Sequence, residues 1–299
     1  MIIKYGIIDN NIDVTDICYN ILCKNNIITI PESDHYRAKY FGDPLVGILK
    51  SIFIINELNE KVEYNHTKTI YIDINTNLIT YKDSNDAVEK LRGIHNKLKI
   101  EFGSFNDEFP EQIMTAMYLT GNEKVLEIGG NIGRNSLVIA SILNKKGNNN
   151  FVSLETLEDV YYQLKYNRDV NKLQFHVEPS ALSKRKLIQK GWDTIDSDIL
   201  LDGYQKVDTI TLDELYSKYK INFDTLVLDC EGAFYNILMD MPEILYNVKL
   251  IIMENDYWDI NKKLFVDTIL KQNGFYIEYQ KEGGWGPCFD CFYEVWKKN

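Results

Sequence analysis

The chain has 299 residues, 45% of them hydrophobic and 12% aromatic, which is enough apolar material for one or two buried cores and excludes a disordered tail or a low-complexity or fibrous chain. With 33 Lys and Arg against 44 Asp and Glu, the formal charge is -11, so a phosphate backbone is repelled unless a local basic patch compensates, and no nucleic-acid partner is expected. The five cysteines, Cys18, Cys23, Cys230, Cys288 and Cys291, are too few and too scattered for a small secreted disulfide framework; they read as reduced thiols of a cytoplasmic protein.

Along the chain, the start from Met1 to Asp9 lacks the basic, apolar and small-residue succession of a signal peptide. The most apolar run, Leu45 to Ile55, is broken by Lys50 and falls far short of the roughly 20 residues that cross a bilayer, so no membrane contact is expected. Residues 1–82 carry short Ile-, Val- and Tyr-rich runs separated by turn residues, the pattern of a small β-rich domain; Thr69 to Tyr81 alternates on both sides of Asn75-Thr76-Asn77 and predicts a hairpin. Asp34, His35, Arg37, Asp43 and Pro44 are expected to present polar groups from loops. The unit reads as an accessory: a structural cap, a contact for a homo-oligomer, or a sugar-binding surface.

Residues 83–104 form a helical connector, with Val88, Leu91, His95 and Leu98 at helical spacing behind Asp83, Ser84 and Asn85. From residue 105 to 299 apolar strands alternate with amphipathic helices, the signature of a mostly parallel sheet covered on both faces. Helices are predicted at 107–120, 133–143, 157–170, 232–241 and 260–272. Strands are predicted at 124–128, 151–154, 175–178, 207–211, 224–229, 248–253, 274–280 and 289–296, the last two as an antiparallel pair at the edge. Residues 1–104 carry a net charge of -2, leaving -9 for the remainder.

The most informative stretch, Lys124 to Leu143, is a buried strand, a glycine-rich turn and a helix, so a ligand is expected beyond the strand's carboxyl end. Gly129, Gly130 and Gly133 predict close approach of backbone to ligand, and the amides opening the helix favour an anionic group. A dinucleotide fingerprint requires glycine where Asn131 and Arg134 stand, and a phosphate loop requires Gly-Lys-Ser/Thr; neither is present. Glu155, closing the strand Phe-Val-Ser-Leu-Glu, is placed to accept hydrogen bonds from ribose hydroxyls.

These stretches, followed by Pro-Ser-Ala-Leu-Ser (179–183), Ile-Thr-Leu-Asp-Glu-Leu (210–215), Thr-Leu-Val-Leu-Asp-Cys-Glu-Gly-Ala-Phe (225–234) and Ile-Ile-Met-Glu-Asn (251–255), resemble the successive motifs of the FkbM-type methyltransferases over about residues 105–275. The resemblance implies a class I, Rossmann-like fold and S-adenosylmethionine (SAM) as cofactor. It implies Glu127, Gly129, Asn131 and Gly133 around the methionine end, Glu155 on the ribose, and Ser180 and Ala181 near the adenine. The chain departs from the family pattern at Glu127, where Asp is usual, and at Phe234, where a second acid is usual.

Methyl transfer from a sulfonium is an in-line displacement, so positioning comes first and proton removal from a hydroxyl acceptor second. Asp229 and Glu231 lie just beyond an apolar strand: Asp229 is assigned to the cofactor or reaction centre and Glu231 as the base or acceptor-orienting group, against the alternative that Glu231 caps the following helix. Glu254, Asn255 and Asp256 follow the next strand and are expected beside the same pocket, with Glu254 counted among the catalytic acids. Together with Asp229 they offer oxygen ligands to a divalent metal, but acids crowding a sulfonium need no ion, and no metal site is assigned. Cys288 and Cys291 are read as structural thiols pointing to opposite faces of a strand. Tyr257, Trp258 and Trp285 are expected near the pocket mouth, and His176 in the core.

By the resemblance, the expected function is O-methylation of a hydroxyl on a sugar, glycan or sugar nucleotide. A noncatalytic binding or assembly protein that keeps the fold, and an RNA methyltransferase, are the alternatives.

Overall fold

The computed structural model describes residues 1–298. Two compact units are present, Met1–Val88 and Glu89–Asn299.

The first unit holds two four-stranded antiparallel sheets. One runs in the order Asn10–Asp13, Ile2–Ile7, Ser51–Ile55 and Lys61–Tyr64, and the other in the order Cys23–Lys24, Ile27–Ile30, Lys68–Asp73 and Ile79–Asp83. The alternating residues Ile3, Tyr5, Ile28, Ile30, Ile52, Ile54, Ile70 and Ile72 form one buried cluster, as expected where each strand has one face turned inward. The hairpin around Asn75–Asn77 forms, with Asn77 in the left-handed region at φ 57°. Lys50, which interrupts the apolar run, is fully buried and bound to Asp34 at 2.9 Å and Asp43 at 2.8 Å. The expectation that Asp34 to Pro44 present polar groups from loops is corrected in part. Asp34–Phe41 is a helix, and Arg37 is buried, donating Nε to the Pro31 carbonyl and Nη2 to the Lys68 carbonyl.

The second unit is built on a seven-stranded sheet. Its strands are β1 (Val125–Ile128), β2 (Phe151–Leu154), β3 (His176–Glu178), β4 (Thr225–Leu228), β5 (Leu250–Glu254), β6 (Phe275–Lys281) and β7 (Tyr293–Lys298), in the spatial order β3-β2-β1-β4-β5-β7-β6. β1 to β5 are parallel, and β7 inserts antiparallel between β5 and β6. This is the class I Rossmann-like arrangement with an antiparallel last strand. The central strands Val-Leu-Glu-Ile, Phe-Val-Ser-Leu and Thr-Leu-Val-Leu are buried at every position, as a parallel sheet covered on both faces requires.

The labelled helices are α1 (Phe109–Tyr118), α2 (Arg134–Asn144), α3 (Glu158–Val170), α4 (Leu212–Tyr219), α5 (Phe234–Asp240) and α6 (Ile260–Gln272). Helix α4 is not among the expected elements. Thr211 and Glu214 form a reciprocal capping box at its start, which satisfies two otherwise free amides.

The strand expected at 207–211 is corrected to two short pieces outside the main sheet; Gln205–Val207 joins Leu187–Lys190 and Asp193–Asp196 in a small antiparallel sheet, and Thr209–Ile210 pairs with Ala181–Leu182. His176, expected in the core, is exposed on the edge strand β3. The segment Gly286–Cys291 is a 3-10 turn, so Cys288 and Cys291 do not alternate across a strand; both are free thiols. No helix among the described residues is long and apolar enough to cross a membrane.

Candidate active site

The carboxyl ends of β1, β2, β4 and β5 open onto a cavity of about 530 Å³, lined there by Gly129, Asn131, Glu155, Asp229, Glu231 and Glu254. Ser180 and Ala181, after β3, line it too. A crevice at this edge of a parallel sheet is where ligands bind in open α/β folds.

The glycine loop is shaped by packing inside the protein. Gly129 has φ +91°, and a Cβ there would overlap the backbone carbonyl of Asp229. A Cβ on Gly130 would strike Ser153 Oγ, and one on Gly133, at φ +96°, would strike Leu164 of α3. These contacts let β1, β4 and α3 pack against one turn; Gly129 lines the cavity, and the expectation of close approach to a ligand is corrected for Gly130 and Gly133, which do not.

Glu127 also departs from its expected place. It is 2% exposed, beneath the loop and off the cavity, and its Oε2 accepts hydrogen bonds from Ser136 Oγ and, at 2.5 Å, from Ser153 Oγ. Burial pushes its carboxyl up to about 7, against the two hydroxyls that lower it. Glu155 lines the cavity while its Oε2 accepts the Asn131 amide at 2.9 Å and its Oε1 the Leu157 amide at 2.8 Å. It ties the β1 turn to the β2 turn, and burial raises its pKa.

Two acids that the sequence patterns did not single out belong to this site. Glu108 stands in the left-handed region at φ 53° before α1, and its Oε1 accepts from Arg134 Nη1 at 2.7 Å and from Asn131 Nδ2 at 2.8 Å. One turn on, Glu111 projects from α1 to share a hydrogen bond with Glu254 at the end of β5. Two carboxyls can share a hydrogen bond only if one holds a proton, and burial with this contact pushes Glu254 up to about 12.

Burial raises Asp229 well above the usual carboxylate range, with Glu108, Asp256, Glu111 and Glu231 adding repulsion. Asp256 rises to about 7 through burial and then Glu231, although its Oδ1 accepts the Gly232 amide at 2.7 Å.

That last bond bears on Glu231. Helix α5 has no side-chain cap, and the Gly232 amide goes to Asp256. Glu231, at φ 50°, is exposed and lines the cavity, and partial desolvation raises its pKa. Asn255 points the other way from Glu254 and Asp256, as alternation along an extended chain demands; it is fully buried and its Nδ2 donates to the Cys291 carbonyl at 2.6 Å. Among the described residues no group of three or more His, Cys, Asp or Glu is arranged to hold a metal ion. Phe234, at the position of the second acid in the resembled motif, is buried in the core.

The small antiparallel sheet of residues 187–207 supplies a wall that the sequence patterns did not foretell, with Gln189, Trp192, Thr194 and Asp196 lining the cavity. Arg185, at its base, is held by Asp240 through Nε at 2.5 Å and Nη2 at 2.9 Å. Tyr257 is buried against the cavity, and Trp258, 82% exposed, packs at a tilt against Trp285, with ring centroids 4.3 Å apart.

The sequence matches the model of the Methyltransferase FkbM domain family over residues 127–277. No curated protein matches the chain. Among solved structures it is similar to a putative O-methyltransferase from Klebsiella pneumoniae, at 12% identity and a TM-score of 0.42, covering 72% of this chain and 89% of that one. It is also similar to an O-methyltransferase from Bacillus cereus in complex with SAH, at 17% identity and a TM-score of 0.39, covering 73% and 92%. A third is the ribosomal protein L11 methylase from Lactobacillus delbrueckii subsp. bulgaricus, at 10% identity and a TM-score of 0.41, covering 66% and 81%.

Proposed function

The chain belongs to the FkbM methyltransferase domain family, and from that premise we propose that it transfers a methyl group from SAM to a hydroxyl of a sugar, glycan or sugar nucleotide. The observation that carries this reading is the cavity at the carboxyl ends of β1, β2, β4 and β5, which joins a loop-and-acid wall to a cluster of acids. The donor set fits a cationic cofactor. Apart from Arg185 and Lys262 nearer the mouth, the titratable side chains lining it are mostly acids, with Tyr293 beside them, and Arg185 is already neutralised by Asp240.

Glu155 and Ser180–Ala181 would hold the adenosine portion, Asn131 the methionine end, and Asp229 the sulfonium side. When bound, SAM supplies an electrophilic methyl group that an oxygen nucleophile takes in line with the breaking sulfur–carbon bond. The protein's part is to fix that alignment and receive the hydroxyl proton. Glu231 is suited to receiving the proton, because it faces the cavity, is free of a capping duty, and has its proton affinity raised toward the working pH by partial desolvation. Glu254, held against Glu111 by the proton the two share, orients the acceptor by accepting a hydrogen bond on its remaining lone pairs.

The test is Glu231→Gln assayed with radiolabelled SAM and by calorimetry with S-adenosylhomocysteine. Turnover is expected to fall about 10²–10⁴-fold, the range of a lost general base, with S-adenosylhomocysteine affinity kept within a few-fold. Unchanged turnover removes Glu231 from the mechanism.

A further inference from the structure

The β4 and β5 side of the cavity carries more carboxyl groups than a cofactor needs. SAM brings one sulfonium, one ammonium and one carboxylate, a net charge of one. Against it stand Asp229, Glu231, Glu254, Asp256 and Glu111, and none of them has an ion-pair partner among the described residues. The nearby cation Arg134 is committed to Glu108 at 2.7 Å, and Arg185 to Asp240.

Two of these acids are unfinished in a specific way. Glu111 is 6% exposed and Asp256 4%, both line the cavity, and Glu111 Oε2 and Asp256 Oδ2 have no hydrogen-bond partner among the described residues. A buried carboxylate oxygen left unpaired is costly, and a donor arriving with the ligand relieves that cost. An ammonium needs no fixed coordination polyhedron and brings three donors. Trp258 and Trp192 are exposed residues that line the same cavity, and Trp is the side chain that attracts an organic cation best.

We propose that the methyl acceptor is an amino sugar, whose protonated amine is bound by Glu111, Glu254 and Asp256 while its hydroxyl faces Glu231. The proposal rests on the methyltransferase reading above and adds a charge requirement for the acceptor.

The experiment is calorimetry on the full chain saturated with S-adenosylhomocysteine at pH 7, titrating glucosamine, glucose, N-acetylglucosamine and Mg²⁺ in turn. Glucosamine is expected to bind at least about tenfold more tightly than either neutral sugar, the scale of one charge-assisted contact. Glu111→Gln is expected to erase that preference with S-adenosylhomocysteine affinity kept. Trp258→Ala, at an exposed position, should weaken glucosamine several-fold and leave S-adenosylhomocysteine binding unmoved.

Equal binding of the three sugars, binding of none of them, or binding of Mg²⁺ without glucosamine overturns the proposal and leaves the methyltransferase reading standing. Failure of S-adenosylhomocysteine itself to bind overturns both.

Discussion

Replacing Gly129 with alanine separates two explanations of the glycine loop. At φ +91° an alanine costs about 1–2 kcal/mol for its backbone alone. Its Cβ would also overlap the Asp229 carbonyl oxygen, a backbone atom that moves only if the β4 turn moves with it, and such overpacking adds about 1–3 kcal/mol. The expected loss of about 2–5 kcal/mol corresponds to a drop in Tm of about 4–20 °C for a unit of this size.

Gly147→Ala is the internal control, because Gly147 has φ +69° but nothing within 4 Å of the point its Cβ would occupy. It should lose only the backbone share. Differential scanning calorimetry of both variants gives the comparison, and Gly129→Ala should be the less stable by about 1–3 kcal/mol. If the two unfold together while Gly129→Ala alone loses S-adenosylhomocysteine binding, the glycine serves ligand approach and the packing explanation fails.

The buried acids and one helix cap give further expected outcomes. A carboxyl whose folded pKa is raised contributes stability that is complete below its unfolded pKa and is lost as pH rises toward the folded value. For Glu254 that window runs from about 4.5 to about 12, so the ligand-free protein should lose stability from about pH 5 to about pH 9. Glu254→Gln should flatten that loss and raise the urea midpoint at pH 9, by about 1–4 kcal/mol in free energy; a lower midpoint there refutes it. Ser153→Ala removes a donor to Glu127, whose carboxyl burial pushes up to about 7, and should cost about 1.5–3 kcal/mol, more at pH 8 than at pH 6 in chemical denaturation. Thr211→Ala opens the capping box of α4 and should cost about 1 kcal/mol by the same measurement, with no change in S-adenosylhomocysteine affinity.

The alternation of apolar strands with amphipathic helices after residue 105 was legible because β1, β2 and β4 are nearly unbroken apolar runs and each helix carries its own period. The positions of Asp229, Glu231 and Glu254 followed from their place just after such strands. Glu108 and Glu111 were not legible: the run Phe109–Tyr118 reads as an ordinary helix, and only tertiary packing sets Glu111 beside Glu254. The wall of residues 187–207 escaped because its strands are short, polar and mostly exposed. Helix α4 had a usable signal in Thr211-x-x-Glu214 that the apolar pattern alone overlooked. The glycines were located correctly, but what excludes their side chains is a carbonyl, a serine and a leucine from elsewhere in the fold, which no local pattern reveals.

A crystal structure of the full chain with S-adenosylhomocysteine would decide whether the cavity at the sheet's carboxyl edge is the cofactor site. The expected map has the adenosine along Glu155 and Ser180–Ala181, with the sulfur turned toward Asp229 and Glu254. A complex in which the ligand lies away from the carboxyl ends of β1 and β4, or in which that cavity is closed by its own side chains, contradicts the assignment.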